Sequence, residues 1–317
     1  MEEMTEFKNY LIAKGYSTRT TESIIQVTVK FIEWVKAENL EIETISYNDI
    51  TAFVKKLQAR NLSQRTIQLN VIHVKHYLNY LVEAGILNNN PVLALKIKNA
   101  KRKTVYNILS SEELEIIYKT YKSELPSKEK SPPQALNKLA RKRNKVLLGL
   151  LIYQGIATDD IKNIELKHLE LREGKITIPS TRRSNERTLK LESHQLFDLY
   201  DYVNDTRKQI LEHKLKNGST LPPSGEAVRG SLFISIGKGN KMQNMLQKLT
   251  EDIKTQNKNI VNLDQVRASI ITNWLRQYNK RKVQYMAGHR YVSSTEAYEA
   301  NNIEALQEDV EKYYPVL

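Results

Sequence analysis

The chain has 317 residues, no cysteine, a formal net charge of +13 and a pI near 9.5. Its length favours two domains, each large enough to bury a core without disulfide bonds. The acidic, polar start of the chain predicts no signal peptide, and no stretch approaches the roughly 18 apolar residues of a membrane span, so we expect a cytoplasmic protein. The excess of cations favours nucleic acid over an anionic membrane as the partner.

The first 95 residues predict a helical domain. Apolar residues recur at three- and four-residue spacing over residues 5–14, 20–38, 46–60 and 63–84, and cap-type serines and threonines begin these segments. Arg65, at the start of the fourth segment, and Lys75, later in it, are candidate DNA contacts, because a helix N-terminus with polar and cationic groups suits a phosphate. The alternative is a solvated polar face.

A basic linker is predicted over residues 96–107. Residues 96–103 contain five cations and no helical periodicity. Each phosphate contact adds affinity without sequence preference, so we expect this linker to cross a DNA backbone. The DNA-contacting residues predicted here are Lys98, Lys101, Arg102 and Lys103.

Residues 108–317 predict a second domain that is mainly α-helical with a small antiparallel β-sheet. Two short apolar or alternating runs, residues 175–179 and 187–191, flank a cationic segment and predict a β-hairpin. Residues 232–235 predict a short strand or a segment that enters the core. Helices are predicted over residues 110–123, 137–153, 193–216, 242–256, 261–278, 281–286 and 303–313.

Near the C-terminus, Gly288 and His289 form a small-residue turn, and Tyr298 follows nine positions after the histidine. The tyrosine is predicted on a short helix after a cap formed by Ser293, Ser294 and Thr295. This arrangement could bring a hydrogen-bonding group and a nucleophile to one point. In a chain with 17 tyrosines and 6 histidines, however, such a pair alone is more often structural.

The sequence offers little support for other chemistries. It has no cysteine ligand, no His-Glu-x-x-His and no aspartate-rich cluster, so we expect no metal site. It also lacks a Gly-rich phosphate loop of the Walker type, so we expect no nucleotide cofactor.

The order of short motifs in the second domain resembles the tyrosine recombinase (phage integrase) family. An apolar helix is followed by a Gly155 turn, an acidic residue, a β-hairpin, an arginine-bearing helix, the Gly288-His289 turn and Tyr298. The resemblance covers nearly the whole chain. It implies a helical, SAM-like core-binding domain over residues 1–95 and an integrase-type catalytic domain over residues 108–317, the latter ending in a tail helix.

The resemblance also implies the chemistry. In this family a tyrosine oxygen attacks a DNA phosphate and forms a 3′-phosphotyrosine, so neither metal nor nucleotide is required. Two arginines hold the transition-state oxygens, a hairpin lysine is the general acid, and two histidine-type residues assist.

When the family's motifs are compared with this sequence residue by residue, only some of the expected residues are present. Tyr298 matches the nucleophile, Arg267 the second arginine and His289 the late histidine. Asp264 stands at the usual histidine position, Ala157 at that of the first arginine, and Arg182 (or Arg183) at that of the hairpin lysine. Asp160 keeps the acidic position near Ala157, and Arg187 matches the second basic position of the hairpin.

These departures leave two hypotheses open: a recombinase with a degenerate active site, or a recombinase-derived DNA-binding or architectural protein without cleavage. Loss of one charge-assisted contact to a transition-state oxyanion costs about 3–4 kcal/mol, and an arginine is a poor proton donor because its guanidinium stays protonated throughout the physiological pH range. A displaced cation could substitute for Ala157, with Arg290 preferred over Arg183 and Lys162.

Further contacts with double-stranded DNA are expected from Arg183, Arg187 and Arg290. The tail helix predicted over residues 303–313 resembles the family's tail, which packs into a neighbouring protomer. If it does so here, DNA-bound tetramers are expected; packing onto its own domain is the alternative.

Overall fold

The computed structural model describes residues 2–95, 97, 106–123, 132–216, 230–237 and 242–299. The chain divides into two compact units, Met1–Thr104 and Val105–Leu317. The predicted linker, residues 96–107, spans this boundary. Its basic residues Lys98, Lys101, Arg102 and Lys103, and the tail helix predicted over residues 303–313, lie outside the described residues.

The first unit contains the four predicted helices. They are α1 (Glu2–Ala13), α2 (Thr18–Ala37), α3 (Tyr47–Ala59) and α4 (Gln64–Glu83). Serine side chains accept backbone hydrogen bonds at the starts of α2, α3 and α4, which satisfies N–H groups that have no partner within the helix. An apolar core that includes Phe31, Trp34 and Phe53 holds the helices together.

The second unit is also mainly helical. Its helices are α5 (Ser111–Thr120), α6 (Pro132–Gln154), α7 (Ser193–Asp201), α8 (Arg207–Lys216), α9 (Met242–Gln256), α10 (Leu263–Gln277), α11 (Lys280–Ala287) and α12 (Val292–Glu296). The predicted start of α6 at residue 137 was too late, since a proline is well tolerated in the first turn of a helix, where its missing N–H costs no hydrogen bond.

The single helix predicted over residues 193–216 is interrupted. A π-helical segment, Tyr202–Thr206, separates α7 from α8. The Tyr202 side chain is fully buried, and its hydroxyl donates to the Leu232 carbonyl at 2.9 Å. The hydrogen bond from Tyr202 to Leu232 is therefore made from the π-helical turn, which is wider than an α-helical turn.

The sheet has three antiparallel strands in the order β1 (Leu169–Glu170), β2 (Lys175–Ile178) and β3 (Arg187–Lys190). Strands β2 and β3 form the predicted hairpin, with Ile176 opposite Leu189. The two-residue strand β1 was not predicted, because two residues are too few to show an alternation.

Residues 232–235 were predicted to be either a short strand or a segment that enters the core. The structure shows the second alternative. Leu232, Phe233 and Ile234 are buried. Arg143 donates to the Ile234 carbonyl at 2.9 Å, so a buried cation satisfies a backbone group that no strand partner reaches.

No helix within the described ranges combines the length and the apolar character needed to cross a membrane.

Candidate active site

The Gly288-His289 turn ends helix α11 and lies directly against Arg187. Gly288 adopts the left-handed conformation with φ of 71°, and its N–H donates to the Tyr285 carbonyl at 2.9 Å. A Cβ at residue 288 would lie 2.6 Å from the Arg187 Cζ, which is far inside van der Waals contact. Glycine is therefore required here by both the backbone conformation and the close approach of the guanidinium.

The tip of the hairpin between β2 and β3 is joined to this turn by backbone hydrogen bonds. The Asn185 N–H donates to the Gly288 carbonyl at 2.9 Å, and Ser184 forms an isolated antiparallel bridge with His289. The Arg290 guanidinium donates to the Thr181 carbonyl at 2.7 Å. Hairpin and turn therefore hold each other in place.

A buried ion pair lies beneath this junction. Arg187 Nη2 is 3.1 Å from Asp160 Oδ2, and the two side chains are 0% and 2% exposed. Ser184 Oγ donates to the other Asp160 oxygen at 2.8 Å, and Arg187 Nε donates to the Met286 carbonyl at 3.0 Å. Burial lowers the pKa of Arg187, whereas Asp160 raises it.

The structure does not place Arg187 on the surface, where the sequence suggested a DNA contact. The reason is its position on β3: residues 187 and 189 point to the buried face of the strand, and residues 188 and 190 to the exposed face. That alternation was visible in the sequence and favours an interior position for Arg187.

Arg267 lies on helix α10 and reaches the backbone of two other segments. Its guanidinium donates to the Gly155 carbonyl and, at 2.7 Å, to the Ala287 carbonyl. Burial lowers the pKa of Arg267, while the electrostatic influence of the neighbouring Tyr298 acts in the opposite direction. Because an arginine keeps its proton even when buried, a cation is held next to the tyrosine.

His289 and Tyr298 lie face to face. Their ring centroids are 5.7 Å apart and the rings are inclined by 8°. Burial, followed by the charges of Arg267 and Arg187, lowers the pKa of His289 to about 4. The imidazole is therefore neutral near pH 7.

The segment that carries Tyr298 differs in detail from the prediction. Ser293, Ser294 and Thr295 lie inside helix α12 instead of capping it, and Tyr298 follows the end of this helix in a turn. The prediction of a capping role was wrong because Tyr291 occupies the N-cap position, without a side-chain hydrogen bond. Thr295 is fully buried, and its hydroxyl oxygen lies 2.9 Å from His289 Nδ1, a contact that the sequence did not suggest.

The Tyr298 ring packs against a small apolar cluster made of Ile271, Val283 and Ala287. On the surface, Lys280 at the start of α11 is paired with Glu296 at 3.1 Å and with Glu299 at 3.2 Å, on either side of the tyrosine. Arg267, His289 and Tyr298 are thus brought together within one chain.

The three positions that depart from the family pattern supply no interior cation. Ala157 is half-buried, and its carbonyl accepts from the Asp160 N–H at 3.0 Å. Asp264 is exposed in the first turn of α10, where a carboxylate complements the helix dipole. Arg182 is exposed at the hairpin tip.

The candidate replacements for a cation at position 157 also lie at the surface. Arg290 is exposed and donates to the hairpin backbone, Arg183 is exposed 4.0 Å from Asp159, and Lys162 is exposed. Arg187 is the hairpin cation that the structure places in the interior, and its charge is balanced by Asp160.

In the first unit, Arg65 is exposed at the start of α4 and donates to Gln68 at 2.8 Å. Lys75 is half-buried on the same helix. Across the described ranges of both units, no group of three histidine or acidic residues is arranged to hold a metal ion.

The sequence and the fold of this chain match those of known proteins over nearly the whole chain. Two family models match, one described as "Phage integrase family" over residues 107–304 and one described as "Phage integrase, N-terminal SAM-like domain" over residues 4–85. The chain is 24% identical to "Tyrosine recombinase XerC" of Anoxybacillus flavithermus, over 92% of this chain and 90% of that protein. It is also 24% identical to the protein of the same name from Oceanobacillus iheyensis, over 98% and 94%.

A solved structure shows the same fold. The chain superimposes on the XerH site-specific recombinase bound to a palindromic difH substrate, in a post-cleavage complex, with a TM-score of 0.69 and 17% identity over 95% of this chain and 82% of that one. The match of the phage integrase model to more than half of the chain shows the family. The chain belongs to the phage integrase family, the site-specific tyrosine recombinases that break and rejoin DNA.

Proposed function

We propose that this chain carries out site-specific strand exchange on double-stranded DNA through a 3′-phosphotyrosine at Tyr298. The observation that carries the proposal is that Tyr298 lies close enough to the Arg267 cation for the two to interact electrostatically and that its ring is stacked on His289. A nucleophile, a cation and a hydrogen-bonding ring are three of the groups that phosphoryl transfer to a tyrosine uses.

In the proposed reaction, the Tyr298 oxygen attacks the scissile phosphorus and loses its proton. The bond from phosphorus to the 5′-oxygen breaks, and that oxygen takes up a proton. Religation is the reverse reaction on a second strand. The phosphotyrosine bond conserves the free energy of the cleaved phosphodiester, so the reaction requires no cofactor. The Arg267 charge stabilises the phenolate as it forms and the extra negative charge of the transition state.

We propose that the site is degenerate and therefore slow. Ala157 provides no charge to a phosphate oxygen, and a missing contact of this kind costs about 3–4 kcal/mol of transition-state stabilisation. Arg182 can contact the phosphate, but a guanidinium is a poor proton donor because it holds its proton far more tightly than the lysine that is usual at this position. The exposed Asp264 adds negative charge on the same helix as Arg267.

These three substitutions also support the second candidate function, a DNA-binding or architectural protein without cleavage. The packing of Tyr298 favours the enzyme over this alternative. A protein that only binds DNA has no physical need for a tyrosine placed beside a buried arginine and stacked on a neutral histidine.

Assembly on DNA is part of the proposal. Known proteins with this fold include a lambda integrase tetramer bound to a Holliday junction, with a TM-score of 0.59 and 12% identity over 92% of this chain and 77% of that one. By analogy we propose a DNA-induced tetramer held by the C-terminal tail, with DNA contacts from Arg65, Lys75, the basic linker, Arg183 and Arg290. We also propose a cytoplasmic location, in keeping with the proposed DNA substrate.

Covalent capture tests the proposed function. The protein is mixed with a pool of nicked duplexes that carry randomised binding sites, and protein-linked DNA is isolated by denaturing gel electrophoresis and sequenced. The nick lets a short strand diffuse away after cleavage, so the covalent species accumulates. The enzyme is supported by a covalent species that is absent in Tyr298→Phe; the binding-only candidate is supported by duplexes that bind tightly and never become covalently linked.

A further inference from the structure

The His289 ring makes a hydrogen bond to a side chain that the family comparison did not identify. Nδ1 of His289 lies 2.9 Å from Oγ1 of Thr295, six residues later on helix α12. Thr295 is fully buried, so its hydroxyl cannot exchange this partner for water. The hydrogen bond therefore constrains both the orientation of the ring and the nitrogen that carries its proton.

The direction of this hydrogen bond follows from counting donors and acceptors. Among the described residues, His289 Nδ1 is the partner of the Thr295 hydroxyl. If Nδ1–H donated to the hydroxyl oxygen, the hydroxyl proton would be buried without an acceptor, which is costly. If the hydroxyl donates to an unprotonated Nδ1, both groups are satisfied.

The second arrangement fixes the chemistry of the other ring nitrogen. A neutral imidazole with an unprotonated Nδ1 carries its proton on Nε2. Within the described part of the chain Nε2 has no hydrogen-bond partner, so this N–H can serve a bound ligand. The neighbouring cations Arg267 and Arg187 disfavour a second proton on the ring.

We propose that Thr295 is a positioning residue that donates to His289 Nδ1, holds the ring proton on Nε2, and so makes His289 a neutral hydrogen-bond donor to the scissile phosphate. The part that concerns the phosphate rests on the proposed function, whereas the proton position does not. In this role His289 stabilises a phosphate oxygen and does not move a proton. Ring stacking on Tyr298 keeps the donor next to the nucleophile.

The tautomer is measured directly in the full-length protein without DNA. Histidine is labelled with ¹⁵N, and long-range ¹H–¹⁵N spectra at pH 7 distinguish a protonated from an unprotonated ring nitrogen; His289→Gln assigns the signal among the 6 histidines. We expect the Nε2–H form in the wild type. An Nδ1–H form in the wild type overturns the proposal.

Three variants connect the tautomer to cleavage. Thr295→Val keeps the shape and removes the hydroxyl, Thr295→Ser keeps the hydroxyl, and Ser294→Ala changes an exposed hydroxyl on the same helix. For Thr295→Val we expect a mixture of tautomers, unchanged DNA binding and a single-turnover cleavage rate that is about 10- to 100-fold lower, by analogy with the loss when the supporting hydrogen bond of a metal-bound histidine is removed. Thr295→Ser should restore the tautomer and most of the rate, and Ser294→Ala should match the wild type.

The outcomes separate this proposal from the proposed function. A wild-type tautomer that persists unchanged in Thr295→Val, with an unchanged cleavage rate, overturns the role of Thr295. An Nε2–H tautomer that depends on Thr295, in a protein that never forms a covalent DNA species, supports the hydrogen bond and rejects the strand-exchange function together with the phosphate contact.

Discussion

Gly288 and Arg187 are in such close contact that any side chain at residue 288 would overlap the Arg187 guanidinium. A Cβ at residue 288 would lie 2.6 Å from the Arg187 Cζ, and the backbone there has a φ of 71°. This contact joins the turn that carries His289 to the hairpin that carries Arg182. The glycine of the Gly-His motif is therefore required by packing as well as by its turn conformation.

The first prediction concerns this contact. Gly288→Ala should lower the free energy of unfolding by about 2–4 kcal/mol, because it adds steric overlap with a buried guanidinium to the backbone strain. Gly174→Ala is the matched control, since Gly174 has a φ of 62° but no atom within 4 Å of the position of a Cβ. It should cost about 1 kcal/mol. If urea denaturation showed that the two variants lose the same free energy of unfolding, the packing argument would be contradicted.

The second prediction concerns the ion pair of Arg187 with Asp160. Arg187→Met leaves a buried carboxylate without its cation and should cost about 3–5 kcal/mol of unfolding free energy. Asp160→Asn should be destabilising for the converse reason, and the double variant should cost less than the sum of the two. Arg183→Met serves as the control, because its partner Asp159 is exposed, and should cost below about 1 kcal/mol. Strict additivity of the Arg187 and Asp160 losses would rule out the pairing.

The third prediction concerns pH. His289 has a pKa near 4 in the folded protein, against 6.5 as its ordinary value, so the unfolded chain binds the proton more readily. The contribution of His289 to stability is therefore complete above about pH 6.5 and is lost as the pH falls towards 4. Unfolding free energies measured across this range should fall more steeply towards low pH for the wild type than for His289→Gln. Parallel curves would contradict the buried, neutral imidazole.

The fourth prediction concerns the missing arginine. Ala157→Arg should raise the single-turnover cleavage rate by up to about 10²–10³-fold, if this position still faces the phosphate. Thr158→Arg adds the same charge one residue later and should leave the rate near that of the wild type. An equal increase in both variants would show that general attraction of DNA, and not a contact in the site, is responsible.

Much of the fold could be predicted from the sequence because its helices are amphipathic. The three- and four-residue spacing of apolar side chains located α1 to α4 and α9 to α11 closely. The spacing does not reveal a π turn, since the apolar pattern continues through Tyr202 while the backbone widens. Strand β1 was not predicted, because two residues are too few to show an alternating pattern.

The candidate site shows the same division between local pattern and tertiary contact. The positions of Arg267, His289 and Tyr298 followed from motif spacing, but their mutual contacts depend on helices α10, α11 and α12 packing together. Arg187 was interpreted as a surface cation, although its alternation with the exposed Thr188 indicated the interior. Thr295 was assigned to a cap, and its contact with His289 arises from the fold of the turn between them.

The most direct test of the account is the identity of the residue that is linked to DNA. The covalent species is digested with nuclease and protease, and the peptide that retains a nucleotide is sequenced by mass spectrometry. The account predicts a single modified site at Tyr298, absent in Tyr298→Phe. A nucleotide on the exposed neighbours Tyr285 or Tyr291, or a covalent species that persists in Tyr298→Phe, would contradict it.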